Sequence, residues 1–238
     1  MAPTTPLSSS DFERIRQLDT CAVSNAIERL NVRLRNEGFV SNAVHCRFPN
    51  FAPMLGYAAT GRIRTSVPPF SGNSYHDRMG FLNYVASMPE PRVLVLQDVD
   101  RVVGLGALMG EIHATISQAT GCVGCVTNGA VRDLPAIEAT GFHLFSGSLA
   151  VSHAYAHIVE FGQPVEIGGL KIYPGDLIHG DRHGVLTIPL SIAAQVPGVA
   201  AELLREEREL IAFCRSPEFS MQGLSQKLQR MPDEVTNA

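Results

Sequence analysis

The chain predicts an α/β fold, a mixed β core with flanking helices, and three observations carry that prediction. Two short apolar runs, 92–98 (RVLVLQD) and 122–126 (CVGCV), bracket a glycine loop and a helix-period pattern. That order reads as strand, loop, helix, strand, with the two strands parallel. Residues 164–172 read as a hairpin turning at Gly168-Gly169, which adds antiparallel pairing. Helix-period segments lie near both ends, at 21–30 and 192–214, and would cover the sheet.

The elements follow in order. Ser8, Ser9, Ser10 and Asp11 offer N-caps for a helix at 12–18, and Thr20 for a second at 21–30 that buries Val23, Ile27 and Leu30. Residues 31–53 read as a loop, with Gly38, Pro49 and Pro53 as breakers. A strand is expected at 56–67, where Arg62 and Arg64 share a face and read as a solvated pair. A turn-rich 68–74 leads to a helix at 75–86 through Met79, Leu82 and Val85. After the 92–98 strand, Gly104 and Gly106 form a loop before a helix at 107–119. That helix would bury Leu108, Met109, Ile112, Ile116 and Ala119, and Gly121 would close it. The second strand then ends in a polar turn, Thr127-Asn128-Gly129. Pro135 starts a short helix at 136–140, and 142–145 is a strand. Strands at 177–178 and 185–188 surround a turn, and Ser191 caps a helix at 192–214 interrupted near Pro197-Gly198. A last helix is expected at 224–231. The domain reading is a lead-in at 1–10, one domain at 11–215, and a helix and tail at 216–238.

Composition narrows the function classes. Hydrophobic residues make up 45% of the 238, charged ones 18%, and the net charge is −4, which argues against a nucleic-acid surface. No apolar run approaches the ~18 residues of a membrane helix, and MAPTTPLSSS has neither the charged nor the apolar segment of a secretory signal. The expected location is the cytoplasm. Of five cysteines, Cys122 and Cys125 have CxxC spacing. No second pair completes a zinc site, so they read as small buried strand residues on opposite faces.

Chemistry concentrates after the second strand. Arg132 and Asp133 stand side by side where a buried strand ends, and Glu111 lies near the first turn of the preceding helix. Charges at such an edge are costly without partners, a metal or a ligand. Two carboxylates suit a hard divalent cation, an arginine grips a carboxylate in a fork, and free N–H groups at a helix start accept anionic oxygens. The guest that fits is a small organic acid chelated to a metal ion. Other pairs are weaker. His76-Asp77 is a candidate acid/base or metal pair without a further ligand at helix spacing. His153 and His157 have the four-residue spacing of zinc proteases, but Ala154 stands where the glutamate belongs, and a subunit contact or specificity role competes. Turn chemistry accounts for Asp176 and Asp181 beside His183. Gly104-x-Gly106-x-x-x-Gly110 looks like a dinucleotide fingerprint with its third glycine one place late.

Gly110-Glu111 followed at the right distance by Arg132-Asp133 within NGAVRD resembles the RraA-like proteins, as do LDTCAVSNAIERL, GYAATGRIRT and PGDLIHGDRHGVLTIP. That family includes class II pyruvate aldolases cleaving 4-hydroxy-4-methyl-2-oxoglutarate, and the ribonuclease E inhibitor RraA. The resemblance implies a swivelling β/α/β sandwich, like the phosphohistidine domain, assembled as a homotrimer or homohexamer. It implies a lyase, an aldolase or oxaloacetate decarboxylase, with a small 2-keto acid as substrate and no nucleic-acid or membrane partner. Asp133 would ligate Mg²⁺ or Mn²⁺, and Glu111 would hold one of the ion's waters. Arg132 and the N–H groups of Gly110, Glu111 and Ile112 would bind substrate, with Arg132 and Glu111 catalytic. A glutamate from a neighbouring subunit, Glu206 or Glu209, would reach the metal waters. The alternative within the family is a non-enzymatic regulatory binding protein. Two departures stand out: glutamate at 111, where many aldolases have aspartate, and Asn25, where the family usually has aspartate.

Overall fold

The computed structural model describes residues 7–69 and 78–229. The first elements are α1 (Ser9–Arg16), α2 (Thr20–Arg29), β1 (His45–Cys46), β2 (Met54–Arg64), α3 (Arg78–Ser87) and β3 (Arg92–Asp98). Next come β4 (Ala107–Met109), α4 (Glu111–Ala119), β5 (Cys122–Val131), α5 (Leu134–Thr140), β6 (His143–Leu149) and β7 (His157–Phe161). The chain continues through β8 (Val165–Ile167), β9 (Leu170–Ile172), β10 (Leu177–Asp181), β11 (Gly184–Ile188), α6 (Val196–Cys214) and α7 (Met221–Leu228).

Nine strands form one mixed sheet in the order β1-β6-β5-β3-β2-β10-β11, with β4 added to β5 and β7 to β2. The central strands β2, β3, β5 and β6 are parallel, as expected for β3 and β5, β4 also pairs parallel with β5, and β1, β7, β10 and β11 pair antiparallel. Alternation along β3 sends Val93 and Val95 to one face and Leu94 and Leu96 to the other. The leucine face packs under α3, α4 and α5, with Phe81, Val85, Ala114 and Ile137. The valine face packs under the β8–β9 hairpin, with Ile167 and Ile172. A third apolar cluster joins α1, α2 and α6 to β2, β10 and β11 through Ile15, Ile27, Leu55, Leu177 and Leu203. The hairpin turns where expected, both Gly168 and Gly169 having positive φ.

Several expectations are corrected. The polar run Thr127-Asn128-Gly129 does not end β5, which continues to Val131. The Asn128 side chain replaces the missing ladder bonds, its Oδ1 accepting from Asp98 N–H at 2.7 Å and its Nδ2 donating to Asp98 O at 2.9 Å. A register shift between Thr127 and Ala130 absorbs the irregularity. Residues 107–109 are strand β4, not helix, pairing with the end of β5 at Ala130 and Val131. The helix therefore starts at Glu111, and Ile112 is 71% exposed instead of buried. Met79 is likewise exposed on α3, which buries Phe81 and Val85. Another shift in β5, between Cys122 and Gly124, places Cys122 and Cys125 in one core cluster instead of on opposite faces. Asp19, not Thr20, caps α2, accepting from Ala22 N–H at 2.7 Å. Pro197-Gly198 opens α6 instead of interrupting it, because proline's missing N–H costs nothing in a first turn. The last helix begins at Met221, capped by Ser220, three residues earlier than expected.

Two histidines are enclosed in this core. The His143 ring, 3% exposed, stacks on Phe145 at 4.6 Å and meets Phe51 edge-on, and neither ring nitrogen has a protein partner among the described residues. His179 is fully buried, with Nδ1 3.1 Å from Thr20 Oγ1. Burial pushes both down to about 4, against a smaller opposite pull from Asp181. The unfolded chain, with histidine near 6.5, therefore binds protons first as the medium acidifies. Stability is complete above about pH 6.5 and falls toward pH 4, by up to about 1.4 kcal/mol per pH unit per histidine. His143→Phe should keep stability at pH 7 within about 1 kcal/mol, since it removes polar atoms without partners. It should also weaken the acid loss between pH 7 and 5 in urea titrations. An undiminished acid loss would remove His143 from the linkage.

Candidate functional site

Asp133 lies two residues past the end of β5 and occupies the N-cap position of α5, in the left-handed region at φ 59°, ψ 35°. Its side chain makes no capping bond to its own helix. The carboxylate turns toward α4, where Glu111 N–H donates to Oδ2 at 3.3 Å. Glu111 is the first residue of α4, so that N–H has no acceptor within the helix. Arg132 Nε reaches both carboxylate oxygens, at 3.2 and 3.3 Å. The Arg132 backbone N–H is held by Met109 O of β4 at 3.0 Å. Gly110, the N-cap of α4, must lack a side chain, because a Cβ there would lie 2.6 Å from Asp133 Oδ2 and 3.1 Å from Arg132 Cγ.

All five predicted site residues line one cavity of about 240 Å³: Gly110, Glu111, Ile112, Arg132 and Asp133. At the ~30 Å³ a water occupies in the liquid, that is roughly eight waters, the bulk of a short organic acid. Three further ionisable residues share its wall: Arg78 at the start of α3, His113 in α4, and His153 in the loop before β7. Burial first, then the Arg78 guanidinium and His153, push His113 down to about 4, so its imidazole is neutral at pH 7. Sequence reasoning missed Arg78 and His113. No short-range spacing connects them to Arg132; only the packing of α3 beside α4 does.

Among the described residues no group of three or more His, Cys, Asp or Glu side chains could cage a metal. The oxygen donors at hand are the Asp133 and Glu111 carboxylates. A carboxylate offers about four lone-pair sites, and the Asp133 contacts leave capacity on Oδ1. That set fits a hard divalent ion that keeps most of its waters, not an all-protein cage.

The remaining candidates lie elsewhere. His157 is buried in β7 with Nδ1 2.7 Å from Tyr155 O, so it shares no helix face with His153. His76 and Asp77 fall outside the described residues. Asp176 accepts from Tyr173 N–H at 2.8 Å, the expected turn bond. Asp181 accepts from Thr20 N–H at 2.9 Å and His183 N–H at 2.8 Å. Burial works to raise the Asp181 pKa, but those donors and the His183 ring hold it below the usual carboxylate range. It ties α2 to β10. Glu206 pairs with Arg29 of the same chain at 3.1 Å, and Glu207 accepts from Asn25 at 3.4 Å. Burial pushes the thiols of Cys122, to about 11, and Cys125 up, which suits neither redox nor metal chemistry. Gly106 leads into β4 instead of opening a helix, so the dinucleotide fingerprint lacks its context. Larger cavities among the described residues have volumes of about 720, 850 and 460 Å³, and the last is lined by Arg132 and Asp133 together with Leu134, Leu149 and Val151. In the first, Arg62 is already committed to Glu160 at 2.6 Å and to Pro164 O at 2.7 Å. Neither the 720 nor the 850 Å³ cavity contains a residue of the cluster around Asp133.

Comparison with known proteins bears on the family and the fold. A putative 4-hydroxy-4-methyl-2-oxoglutarate aldolase of Halalkalibacterium halodurans is 36% identical over 84 residues, 35% of this chain and 40% of that protein. Protein DlpA of Legionella pneumophila is 27% identical over 120 residues, half of this chain and 19% of its own. The chain thus spans less than half the length of these two relatives. Among solved structures, Streptomyces coelicolor RraAS2, described as an unusual member of the RNase ES inhibitor RraA family, superposes with a TM-score of 0.66 at 19% identity. That match covers 90% of this chain and all of that one. An uncharacterized Pseudomonas syringae protein gives a TM-score of 0.73 at 24% identity, covering 96% and 97% of the two chains. Both likenesses establish the fold, the α/β architecture expected from the sequence. The RraA-like family model, Aldolase/RraA, matches residues 20–187, and the chain belongs to that family.

Proposed function

We propose that this chain is a divalent-metal-dependent carbon–carbon lyase, a pyruvate aldolase or oxaloacetate decarboxylase acting on a 2-keto acid. The observation that carries the reading is Asp133, held in a left-handed backbone and turned off its own helix toward Arg132 and Glu111. Non-glycine residues adopt that conformation at a cost of order 1–2 kcal/mol, and such strain clusters at functional sites.

Asp133 would hold Mg²⁺ or Mn²⁺ directly and Glu111 through a water. When bound, the ion supplies Lewis-acid polarisation of the keto oxygen. Arg132 grips the keto and carboxylate end, and its charge answers the negative oxygen that develops there. The N–H groups of Gly110, Glu111 and Ile112, at the start of α4, hold the substrate carboxylate. Glu111, through a neighbouring water, takes the proton from the C4 hydroxyl in aldol cleavage. The C3–C4 bond breaks, its electron pair passes to the pyruvate enolate, and C3 is then protonated. Decarboxylation of oxaloacetate breaks the corresponding C3–C4 bond, releasing CO₂ and leaving the electron pair on the same pyruvate enolate. The reading includes a cytoplasmic homotrimer or homohexamer. Exposed Leu105, Ile112, Leu149 and Val151 support assembly, and no helix among the described residues is long and apolar enough to cross a membrane. A regulatory binding protein of the same fold would have no use for paired carboxylates at a cavity.

A screen of 2-keto acids with coupled pyruvate detection should show turnover that EDTA abolishes and Mg²⁺ restores; absence of metal-dependent turnover on all of them favours the regulator. Arg132→Ala should lower kcat/KM by at least about 10²-fold with an unchanged melting curve. Unaltered kinetics in that variant would refute its role. For the backbone, Asp133→Val should be about 1–2 kcal/mol less stable in urea than Asp133→Gly. Both lose the carboxylate, so the difference isolates the left-handed conformation.

A further inference from the structure

We propose that the cavity of about 850 Å³ at the opposite edge of the sheet binds an uncharged aromatic compound through a hydroxyl that hydrogen-bonds to His143. The place is separate from the site around Asp133. β2, β5 and β6 begin there, at Met54, Cys122 and His143, whereas Asp133 lies past the far end of β5. The proposal is independent of the lyase reading.

The imidazole is the observation that points to a ligand. His143 lines the cavity, is 3% exposed, and has no hydrogen-bond partner for either ring nitrogen. Among the described residues only three enclosed side-chain polar atoms lack a partner, and two of them are on this ring. Enclosing such atoms unpaired is destabilising. The ring's packing does not explain them. Stacking on Phe145 and meeting Phe51 edge-on are contacts that phenylalanine would make as well. What histidine adds is a pair of nitrogens that the fold leaves unused.

The surroundings select the guest. Burial outweighs the pull of Asp181, so the ring is neutral at pH 7. A neutral imidazole offers one N–H donor and one acceptor nitrogen, and a hydroxyl can meet either. Charge is unwelcome beside it, where the wall includes the buried Met54 and Cys122. Burial pushes the Cys122 thiol up to about 11, so it too stays uncharged. At the exposed mouth, Arg16 pairs with Glu13 at 3.3 Å, and the two present no net charge to an ion. Phe12 and Phe51, both in the wall, offer faces and edges to a flat ring. The nitrogens are enclosed, so the guest reaches them by turning Phe51, which is half-buried and meets the imidazole at 5.5 Å.

The test is NMR of protein labelled with ¹⁵N at histidine, titrated with phenol, toluene or benzoate, with affinities read from the ligand signals. Phenol should shift the His143 ring nitrogens to saturation, and benzoate should leave them in place. His143→Phe keeps the ring stack and should remain folded. It should weaken phenol about three- to tenfold, the worth of one neutral hydrogen bond, and leave toluene no weaker. Arg132→Ala should bind phenol as the unaltered protein does, which locates the ligand away from the Asp133 site. Ring nitrogens that stay put in phenol, or that move equally in benzoate, overturn the proposal. So does His143→Phe with undiminished phenol affinity, or with toluene lost as much as phenol.

Discussion

The carboxylate of Asp133, held between Arg132 Nε and the Glu111 N–H, is the contact on which the arrangement of the site depends. Three conditions make it possible. The backbone at 133 turns left-handed, position 110 carries no side chain, and β4 docks on the end of β5 so that Met109 O receives the Arg132 N–H. The left-handed turn and the docking of β4 would not persist in an isolated peptide. A strained residue survives when its surroundings over-determine it, and here buried strand precedes it while a helix begins at once behind it.

The sheet supplies that rigidity by a handover between strands. β3 pairs with β5 as far as Leu96 and Thr127, and then the Asn128 amide takes the backbone groups of Asp98. The Asp98 carboxylate accepts from Gly104 N–H at 2.8 Å and Asp100 N–H at 3.0 Å, fastening the loop that carries the chain into β4. Asp100 in turn accepts from the N–H groups of Thr65 and Ser66 beyond the end of β2. These aspartates are acidic groups near a site that serve the backbone. Burial raises the Asp98 pKa, and the same amide donors that hold its loop partly offset the rise.

The cavity has two characters. One part is carboxylate and N–H groups at the start of α4, suited to an ion and a keto acid. Another is Arg78 with two imidazoles, backed by the apolar core under α3. Helix α4 serves both, because Glu111 begins it and His113 lies two residues on. Placing polar groups against the core lowers their effective dielectric and strengthens whatever contact they make with an anion.

What was legible in the chain was local. β3 lies where its apolar run predicted, over Arg92–Asp98, because a run of that length between a proline and a loop admits one reading. The hairpin at Gly168-Gly169, the α2 face and the grouping of Gly110, Glu111, Ile112, Arg132 and Asp133 followed from turn chemistry, period and charge at a strand end. What failed was non-local. Residues 107–109 could continue a helix face or add a strand, and only the free edge of β5 decides. Asn128 looked like a turn residue because its amide was assumed to bond nearby, when its partner is the backbone of β3. Arg78 had no signal at all. Sequence by itself determined the fold class and which charges stand beside a glycine at a helix start, since those depend on neighbours along the chain. The strand handover, the direction of the Asp133 carboxylate and the joining of Arg78 to the site were decided by tertiary structure, since each requires a partner from a distant segment.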